Sequence, residues 1–554
     1  MLDRMPESAR EEGRPFFVDR EATEQYWRRV DELAGFDPVP FAALVTGRFV
    51  FDFVVMYESL VECFAFYPFV LHAFVLEDEV EKALRGLELP HVEVHRLAAN
   101  AGDWILNSTS RIDLIEHSGL ERCVVTDVDV VWVAETPELG LLLDRYDLLF
   151  VGGPGRIWRA QAGLWAFRHN ERTVAFGRYW NEVSRERQIG GHGKGSIRGD
   201  QAALPFALMK ADELGVRVKV LGAGEASEGR GWLLAPYDVQ ANLTPFALER
   251  DELGFREPQM GRAKIIHFVA LRGRGSHSLE ARVDTMIDVY PGCVAALPYY
   301  TRLANRAARR LGMTSVDDPD AFFERRRIAR GLLATADELP LSLRARGVRG
   351  TAVQLGVAER FAGSLLDAWD GERLIAVDHA SASNEDAAPD PGSEERRSLW
   401  RMSFAEAAER LQPRSVDFVY VDEADGEAAR ALELWFDRVR PGGVIAGSAG
   451  SAGDGPQTTS AGAAVESFFD ERGLRVKLTY GGEPACWHVE LPRSRAEHLH
   501  EHISLLGHKI WSEMTRLEND NAQIRRWTRQ RDELIAEREA LKAAARRLAA
   551  KDST

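Results

Sequence analysis

Residues 123–132 form an apolar, β-branched run that carries two carboxylates, Asp127 and Asp129, at positions i and i+2. On an extended backbone, side chains two residues apart point to the same side. Burying carboxylates is costly unless they are paired or bind a metal ion. The pair therefore predicts a site for Mg²⁺ or Mn²⁺, hard cations that take oxygen ligands and are often shared with substrate phosphates. The alternative is that both acids lie in the turn after the strand and cap backbone amides.

The segments before this run alternate between strand-like and helical patterns. Strand-like runs occur at residues 41–46, 69–76 and 92–97. Helical stretches occur between them, at residues 56–63, and after them, at residues 112–117. Such alternation predicts an α/β fold with a mostly parallel sheet and helices on both faces. Ligands of these sheets bind beyond the carboxyl ends of the strands. Asp127 and Asp129 lie towards that end of their strand.

Five short motifs follow one another between residues 39 and 275. They are the first strand ending in Thr46, the Asp127/Asp129 run, residues 161–167, the pair Asp200 and Gln201, and residues 264–268 with His267. In this order they resemble the GT-A type of nucleotide-sugar glycosyltransferase, with Gln161 where that family usually has Asn. The resemblance implies a Rossmann-like GT-A domain over residues 39–275.

The resemblance also implies metal-dependent transfer of a sugar from a nucleotide sugar to a glycan or small-molecule acceptor. Bound Mn²⁺ or Mg²⁺ would neutralise the charge that develops on the leaving diphosphate. The implied metal ligands are Asp127, Asp129 and His267, and the implied catalytic pair is Asp200 and Gln201. The implied nucleotide-binding residues are Thr46, Arg111 and Lys264. Several of these residues also have a structural alternative. Each basic residue could be a solvated surface charge, His267 could be a hydrogen-bonded histidine at the edge of the sheet, and Asp200 could cap a helix.

A second α/β unit is predicted over residues 347–493, after a helical connector at 276–346 that is rich in Arg and Ala. The arginines of the connector are expected to form a solvated face with some salt bridges, or to cover one mouth of a catalytic cleft. In the second unit, strand-like runs occur at residues 351–357, 374–378, 416–422 and 438–447. Asp378 follows the turn at Gly356 by about twenty residues, a spacing at which an acid can hold ribose hydroxyls. The alternative is that Asp378 only ends a strand.

These motifs, together with Asp422 at the end of the third run, resemble the class I methyltransferases that use S-adenosylmethionine. The resemblance implies a second Rossmann-like domain in which Gly356, Asp378 and Asp422 bind that cofactor. Two positions depart from the family pattern, because Gln354 replaces an acid and Ser448 begins a stretch where an acid pair is usual. The unit is therefore expected either to methylate the glycan or its acceptor, which makes the enzyme bifunctional, or to be a non-catalytic binding or assembly module.

The ends of the chain differ from these domains in character. Residues 1–38 are an N-terminal extension, and residues 494–554 predict a long helix with Ile503, Ile510, Leu517 and Ile524 at seven-residue spacing. This spacing predicts either a two-stranded coiled coil, which would make the protein a homo-oligomer, or docking of the helix onto the body of the protein. The alternative is a single exposed helix.

Length and charge limit the remaining possibilities. A chain of 554 residues is too long for one ordinary domain, and its formal net charge of −16 argues against a nucleic-acid partner. Its four scattered cysteines indicate reduced thiols. The sequence shows neither a membrane span nor a signal peptide, so we expect a cytoplasmic protein.

Overall fold

The fold is taken from a computed structural model of the chain. It describes residues 39–64, 69–97, 110–133, 136, 138–151, 160–189, 200–221, 240–243, 265–268, 278–289, 294, 296–356, 359–378, 396–422, 427–448, 460–480, 486–494 and 497–498. The described residues divide into two compact units. One unit covers those from 39 to 242 and from 265 to 268, and the other covers those from 278 to 498. The unit that contains residue 39 is called the first unit, and the other the second unit.

The first unit contains a seven-stranded sheet and a three-stranded sheet. Its strands are β1 (Phe41–Val45), β2 (Leu71–Val75), β3 (Val92–Arg96), β4 (Arg122–Thr126), β5 (Val130–Trp132), β6 (Leu148–Val151), β7 (Gln161–Arg168), β8 (Val218–Leu221), β9 (Gln240–Leu243) and β10 (Ile265–Phe268). Its helices are α1 (Val50–Cys63), preceded by a 3-10 turn at Gly47–Phe49, α2 (Asp78–Gly86), α3 (Leu114–His117), α4 (Glu138–Leu143), α5 (Glu171–Ile189) and α6 (Asp200–Met209).

The larger sheet has the strand order β3-β2-β1-β4-β7-β6-β8. Strand β1 runs parallel to β2 and β4, and β2 runs parallel to β3. Strand β7 is antiparallel to both of its neighbours, β4 and β6. The predicted α/β fold with a mostly parallel sheet is confirmed, with β7 as the antiparallel member.

The apolar run 123–132 suggests that Asp127 and Asp129 lie inside one continuous strand, but the structure shows that they do not. Strand β4 ends at Thr126, and β5 begins at Val130. The reason is a change of sheet: β4 pairs with β1 and β7, whereas β5 pairs with β10 of the three-stranded sheet. The two acids occupy the connection between the sheets, just beyond the carboxyl end of β4.

A cluster of buried aromatic side chains packs α5 against the sheet. Trp165 of β7 and Trp180 of α5 are both fully buried, with ring centroids 5.5 Å apart, and Phe150 of β6 lies 5.7 Å from Trp180. The indole N–H of Trp180 also donates a hydrogen bond of 2.9 Å to the carbonyl oxygen of Asp200, the first residue of α6. The aromatic core therefore fixes the position at which α6 begins.

The second unit is built on another seven-stranded sheet, of order β13-β12-β11-β14-β15-β17-β16. Its strands are β11 (Thr351–Leu355), β12 (Arg373–Asp378), β13 (Arg397–Arg401), β14 (Val416–Val421), β15 (Val439–Ser448), β16 (Lys477–Leu478) and β17 (Cys486–Glu490). Strands β13, β12, β11, β14 and β15 are parallel, and β17 is antiparallel to β15 and β16. The predicted second Rossmann-like sheet is confirmed.

Helices of the predicted connector belong to the same compact unit as this sheet. The helices of the second unit are α7 (Leu279–Val289), α8 (Leu297–Arg310), α9 (Pro319–Ala329), α10 (Leu339–Ala345), α11 (Glu359–Ala368), α12 (Phe404–Glu409), α13 (Glu427–Trp435) and α14 (Ser460–Asp470), with 3-10 turns at Ala336–Glu338 and Phe436–Arg438. The expected solvated face is wrong at Arg327, which is buried and donates to the Glu338 carboxylate at 2.7 and 2.8 Å. A buried guanidinium needs such a partner.

Several sequence predictions fall outside the described residues. These are the N-terminal extension (1–38), Lys264, and the helix predicted at 494–554 from residue 499 onwards. Within the part of the chain that the structure describes, no helix combines the length and apolarity needed to span a bilayer. Among the described cysteines, Cys63, Cys123 and Cys486 are in the reduced state that the sequence predicts.

Candidate functional site

The carboxylates of Asp127 and Asp129 and the imidazole of His267 converge on one point in the first unit. His267 is brought there by the antiparallel pairing of β10 with β5, in which it lies opposite Val130. Its Nε2 lies 3.1 Å from Asp129 Oδ1 and 3.5 Å from Asp127 Oδ2, although 138 residues separate His267 from Asp129. The structure thus brings together the three residues predicted as metal ligands, with one oxygen of each carboxylate facing the His267 imidazole.

Gly163 provides the space in which this cluster forms. Strand β7 runs beside β4, and the amide N–H of Asp127 donates to the Gly163 carbonyl at 2.8 Å. A Cβ atom at position 163 would lie 2.3 Å from His267 Cε1 and 3.2 Å from Asp127 Oδ2. Any larger residue would therefore displace the imidazole. Sequence reasoning missed this role of Gly163; the signal was a glycine inside an apolar strand, which often marks a close approach.

Arg111 connects the cluster to α6. Its buried guanidinium forms ion pairs with Oδ1 of Asp127 and with Oδ2 of Asp200. The other oxygen of Asp127, Oδ2, faces His267. The arginine that the sequence predicts as a diphosphate ligand contacts two carboxylates in this structure, so it positions the acids.

Asp200 and Gln201 lie at the start of α6, and both are anchored. Asp200 is buried, and its Oδ1 accepts a hydrogen bond of 2.9 Å from the amide of the next residue, Gln201. Gln201 holds the beginning of β7, because its Oε1 accepts from the Ala162 amide at 2.7 Å and its Nε2 donates to the Ala160 carbonyl at 2.9 Å. Asp200 thus joins the cluster through Arg111, and Gln201 fixes the strand that carries Gly163.

The cluster carries an excess of negative charge. Among the described residues that form these ion pairs, three carboxylates face one guanidinium, a formal charge of −2 when His267 is neutral. A divalent cation would offset this charge, which is costly to hold away from water. Carboxylate oxygens suit Mg²⁺ and Mn²⁺, and an imidazole is compatible with a transition metal. The residues present therefore fit the predicted Mn²⁺ or Mg²⁺.

A pocket of about 560 Å³ opens at the carboxyl ends of β1 and β2. Its lining includes Gly47, Glu77 and Arg96, and the Gly47 amide donates to Glu77 Oε2 at 2.6 Å. Thr46, predicted to contact the nucleotide, is buried directly before Gly47. Because β1 lies between β2 and β4 and runs parallel to both, the pocket and the Asp127 cluster occupy the same edge of the sheet.

In the second unit, the predicted cofactor-binding residues lie at the carboxyl ends of three adjacent parallel strands. Gly356 follows β11, Asp378 ends β12 and Asp422 follows β14, with β11 in the middle. Gly356 has φ +96°, a conformation that L side chains rarely adopt, and a Cβ there would lie 3.2 Å from Asp422 Cβ. A glycine turn flanked by one carboxylate on each side fits a nucleoside-containing cofactor, as the sequence predicts.

Gln354, the residue that departs from the methyltransferase pattern, lies within the sheet. It is buried on β11, where it pairs in register with Ala376 and Tyr420. The adjacent strand ends are held by the backbone, because the Gly356 amide donates to Val377 at 3.0 Å. The edge of this sheet is therefore shaped chiefly by main-chain geometry.

Comparison with known proteins supports the assignment of the second unit. A protein-family model described as a methyltransferase domain matches residues 353–447. The predicted resemblance of this region to methyltransferases is confirmed. None of the curated proteins with which the chain was compared matches it.

Similar solved structures comprise both glycosyltransferases and methyltransferases. The apo form of the glycosyltransferase GlyE from Streptococcus pneumoniae TIGR4 is 9% identical, with 73% of this chain and 90% of that chain covered and a TM-score of 0.31. The galactosyltransferase LgtC in complex with donor and acceptor sugar analogues is 12% identical, with 53% and 100% covered and a TM-score of 0.31. The O-methyltransferase TomG from Streptomyces achromogenes in complex with S-adenosylmethionine is 17% identical, with 32% and 92% covered and a TM-score of 0.23. Because these TM-scores are low, function is inferred from the side chains.

Proposed function

We propose that the first unit transfers a sugar from a nucleotide sugar to a glycan or small-molecule acceptor, with Mn²⁺ or Mg²⁺ as cofactor. The observation that supports this most is the meeting of Asp127, Asp129 and His267 beyond the carboxyl end of β4. The sheet positions the acidic cluster and a pocket at one edge, where parallel α/β sheets bind ligands. In this proposal the pocket binds the nucleoside and the Asp127 cluster binds the diphosphate.

Charge determines which part of the donor each region binds. The pocket lining holds the carboxylates of Glu77, Asp78 and Glu79 against one guanidinium, that of Arg96, which pairs with Asp78 at 3.0 Å. The carboxylates can accept hydrogen bonds from ribose hydroxyls or base N–H groups, and their excess of negative charge repels phosphate. The phosphates therefore belong at the Asp127 cluster, where a bound Mn²⁺ or Mg²⁺ would act as a Lewis acid on the leaving diphosphate. Thr46 and Lys264 are proposed to contact the nucleotide side of the donor.

The chain's own residues orient this site. Asp127, Asp129 and His267 would hold the ion, and Gly163 leaves room for the imidazole. Arg111 keeps Asp127 and Asp200 in fixed positions, so that reorganisation during the reaction is small. Asp200 lies on the α6 side of the cluster and is proposed to face the acceptor, with Gln201 supporting it through β7.

The test is a screen of nucleotide sugars against the full-length protein, with thermal stability as the first readout. A ligand that binds the folded state raises stability by mass action. We expect one class of nucleotide sugar to raise the melting temperature with Mn²⁺ present and to lose most of this effect with EDTA. Sugar transfer or hydrolysis that is equally fast with EDTA would contradict the metal assignment.

For the second unit we propose binding of S-adenosylmethionine. Gly356, Asp378 and Asp422 at adjacent strand ends support this proposal. Binding can serve methylation of the glycan or its acceptor, because methyl transfer needs little beyond alignment of the reactants. The buried Gln354, in place of an acid, favours the second candidate, a non-catalytic binding or assembly module.

These two candidates for the second unit are separated by one pair of measurements. Calorimetry with S-adenosylmethionine reports binding, and mass spectrometry reports S-adenosylhomocysteine formed in the presence of the sugar-transfer product. Binding with turnover supports a bifunctional enzyme. Binding without turnover supports the module.

The remaining sequence predictions also await a test. They are domains at 39–275, 276–346, 347–493 and 494–554, a cytoplasmic location and a homo-oligomer formed by the C-terminal helix. Light scattering of full-length protein and of protein truncated near residue 500 tests the last of these. The same number of chains per particle in both proteins would contradict assembly through the helix.

A further inference from the structure

Three metal-ligating side chains meet on the edge strand β3 and its neighbour β2. The two strands are parallel, with His72 opposite Glu93 and Phe74 opposite His95. Paired residues share a face of a sheet, and so do residues two apart along a strand. His72, Glu93 and His95 therefore lie on one face, and one ligand atom from each lies within 4.8 Å of the others.

The distances among these atoms suit a shared cation. His72 Nδ1 and His95 Nε2 are 2.8 Å apart, and Glu93 Oε2 lies 3.5 Å from the first and 3.6 Å from the second. The last two separations are too long for good hydrogen bonds. Ligands held at about 2.0–2.2 Å around a tetrahedral Zn²⁺ lie roughly 3.3–3.6 Å apart. Two separations already match this geometry, and the third requires the two rings to part by about 0.5 Å.

Neutral imidazoles alone satisfy this arrangement poorly. One ring nitrogen can donate its single proton to the other, but the Glu93 carboxylate then receives no short hydrogen bond from either ring. A cation between the three would accept an electron pair from each.

The surroundings orient the ligands and leave a route for an ion. The ring of His95 stacks on the buried Phe74, with centroids 5.0 Å apart and an interplanar angle of 26°. His72 is buried, whereas the side chains of Glu93 and His95 are 58% and 38% exposed, so an ion can enter from the solvent side. Two imidazoles and one carboxylate form a donor set that binds Zn²⁺ with a coordination position left open.

We propose that His72, Glu93 and His95 form a second metal site, which binds Zn²⁺ or a similar transition-metal ion. It is separate from the Asp127 cluster, because β1 lies between β2 and β4 in the sheet. The two sites also differ in chemistry. The Asp127 cluster is rich in carboxylates, whereas this site has two nitrogen donors and therefore prefers a softer ion. A bound ion would tie the edge strand to its neighbour.

The test uses untagged, metal-free, full-length protein and Zn²⁺ alone as the probe. The Asp129→Asn protein, in which the first cluster is weakened, should still bind one equivalent of Zn²⁺ by competition titration. Adding His95→Gln or Glu93→Gln to that protein should weaken this binding by more than the roughly 10–100-fold that loss of an outer-shell partner costs. The matched control is His91→Asn, because His91 lies outside the cluster and Asn tolerates its φ of +62°.

Two further readouts keep the result independent of folding. Co²⁺ in the same site should give visible absorption bands that disappear in the His95→Gln protein and persist in the His91→Asn protein. Zn²⁺ should raise the melting temperature of the Asp129→Asn protein and leave that of the double variant unchanged. The proposal is overturned if Asp129→Asn binds no Zn²⁺, or if its Zn²⁺ affinity is the same with and without His95.

Discussion

The two large sheets share their first four positions and differ at the fifth. In both, the first strand of the unit lies between the second and the fourth in a parallel arrangement, as β3-β2-β1-β4 and as β13-β12-β11-β14. The next strand is antiparallel β7 in the first unit and parallel β15 in the second. The antiparallel strand therefore takes the fifth position in the first sheet, as β7, and the sixth position in the second sheet, as β17.

This difference explains why the two candidate sites are built in different ways. Antiparallel β7 places Gly163 beside Asp127, and the exit of the chain into β5 lets β10 deliver His267. The first site is thus a cluster of charged side chains. In the second unit, parallel strands simply end together, so the site consists of a glycine turn between Asp378 and Asp422. The same edge of a sheet can favour a metal ion or an organic cofactor.

The contrast between the two sites would be wrong if the charged cluster were not needed for sugar transfer. Substitution of Asp129 tests this and has the largest expected effect. Asp129→Asn should lower Mn²⁺-dependent sugar transfer by at least about a thousandfold, because metal stabilisation of charge contributes several kcal/mol to the transition state. The measurement is transfer rate against Mn²⁺ concentration. Asp144→Asn is the control, since Asp144 is an exposed acid paired with Arg122. Equal rates for Asp129→Asn and the control would contradict the assignment.

The role of β7 is sharpened by Gly163→Ala. The added Cβ would overlap His267, so the imidazole must move and the affinity for Mn²⁺ should fall by up to about a hundredfold. Gly86→Ala is the matched control, because nothing lies within 4 Å of a Cβ there. Mn²⁺ titration of nucleotide-sugar binding gives both values. A Gly163→Ala protein with unaltered Mn²⁺ dependence would show that His267 is not a ligand.

In the second unit, Asp378→Ala should weaken S-adenosylmethionine binding by about tenfold to a hundredfold. The loss of hydrogen bonds to a charged group costs roughly 1.5–3 kcal/mol, and each 1.4 kcal/mol corresponds to about tenfold in affinity. Calorimetry on this variant and on Asp437→Ala, an exposed acid after α13, supplies the measurement and its control. Affinity that is untouched by Asp378→Ala would place the cofactor elsewhere.

The smallest expected effect is a difference in acid sensitivity. Burial, with Lys477 adding to it, lowers the pKa of His488 on β17 from 6.5 to about 3. Between these two values the unfolded chain binds a proton that the folded chain does not, so stability rises with pH. This contribution is complete above about pH 6.5 and is lost as the pH falls towards about 3.

Hydrogen exchange of the β17 peptide between pH 7.5 and 5 measures this effect. After correction for the intrinsic exchange rate, protection should fall with pH in the wild type and fall less in His488→Phe. His498→Phe, outside the sheet, is the control. The same pH slope in all three proteins would show that His488 does not titrate on unfolding.

Much of the architecture follows from local sequence patterns. Apolar runs interrupted by turn residues predict strands, and the residue after such a run lies at the sheet edge where ligands bind. This is why Asp127, Gly356, Asp378 and Asp422 can be found without a structure. The error over Asp127 and Asp129, read as part of one strand, has the same origin. An apolar run does not show where a chain leaves one sheet for another.

Only the tertiary structure decided which distant residues meet. His267 reaches Asp129 across 138 residues through the pairing of β10 with β5. Arg111 binds Asp127 and Asp200 at the junction of the sheet and α6, and His72 meets His95 because β2 and β3 are parallel. The physical reason is that the alternation of side chains along a strand depends on the local sequence, whereas the pairing of strands depends on how the whole sheet buries its apolar side chains. The sequence by itself determined the strands and the residues at their ends, and the packing of those strands determined which of these residues could bind an ion together.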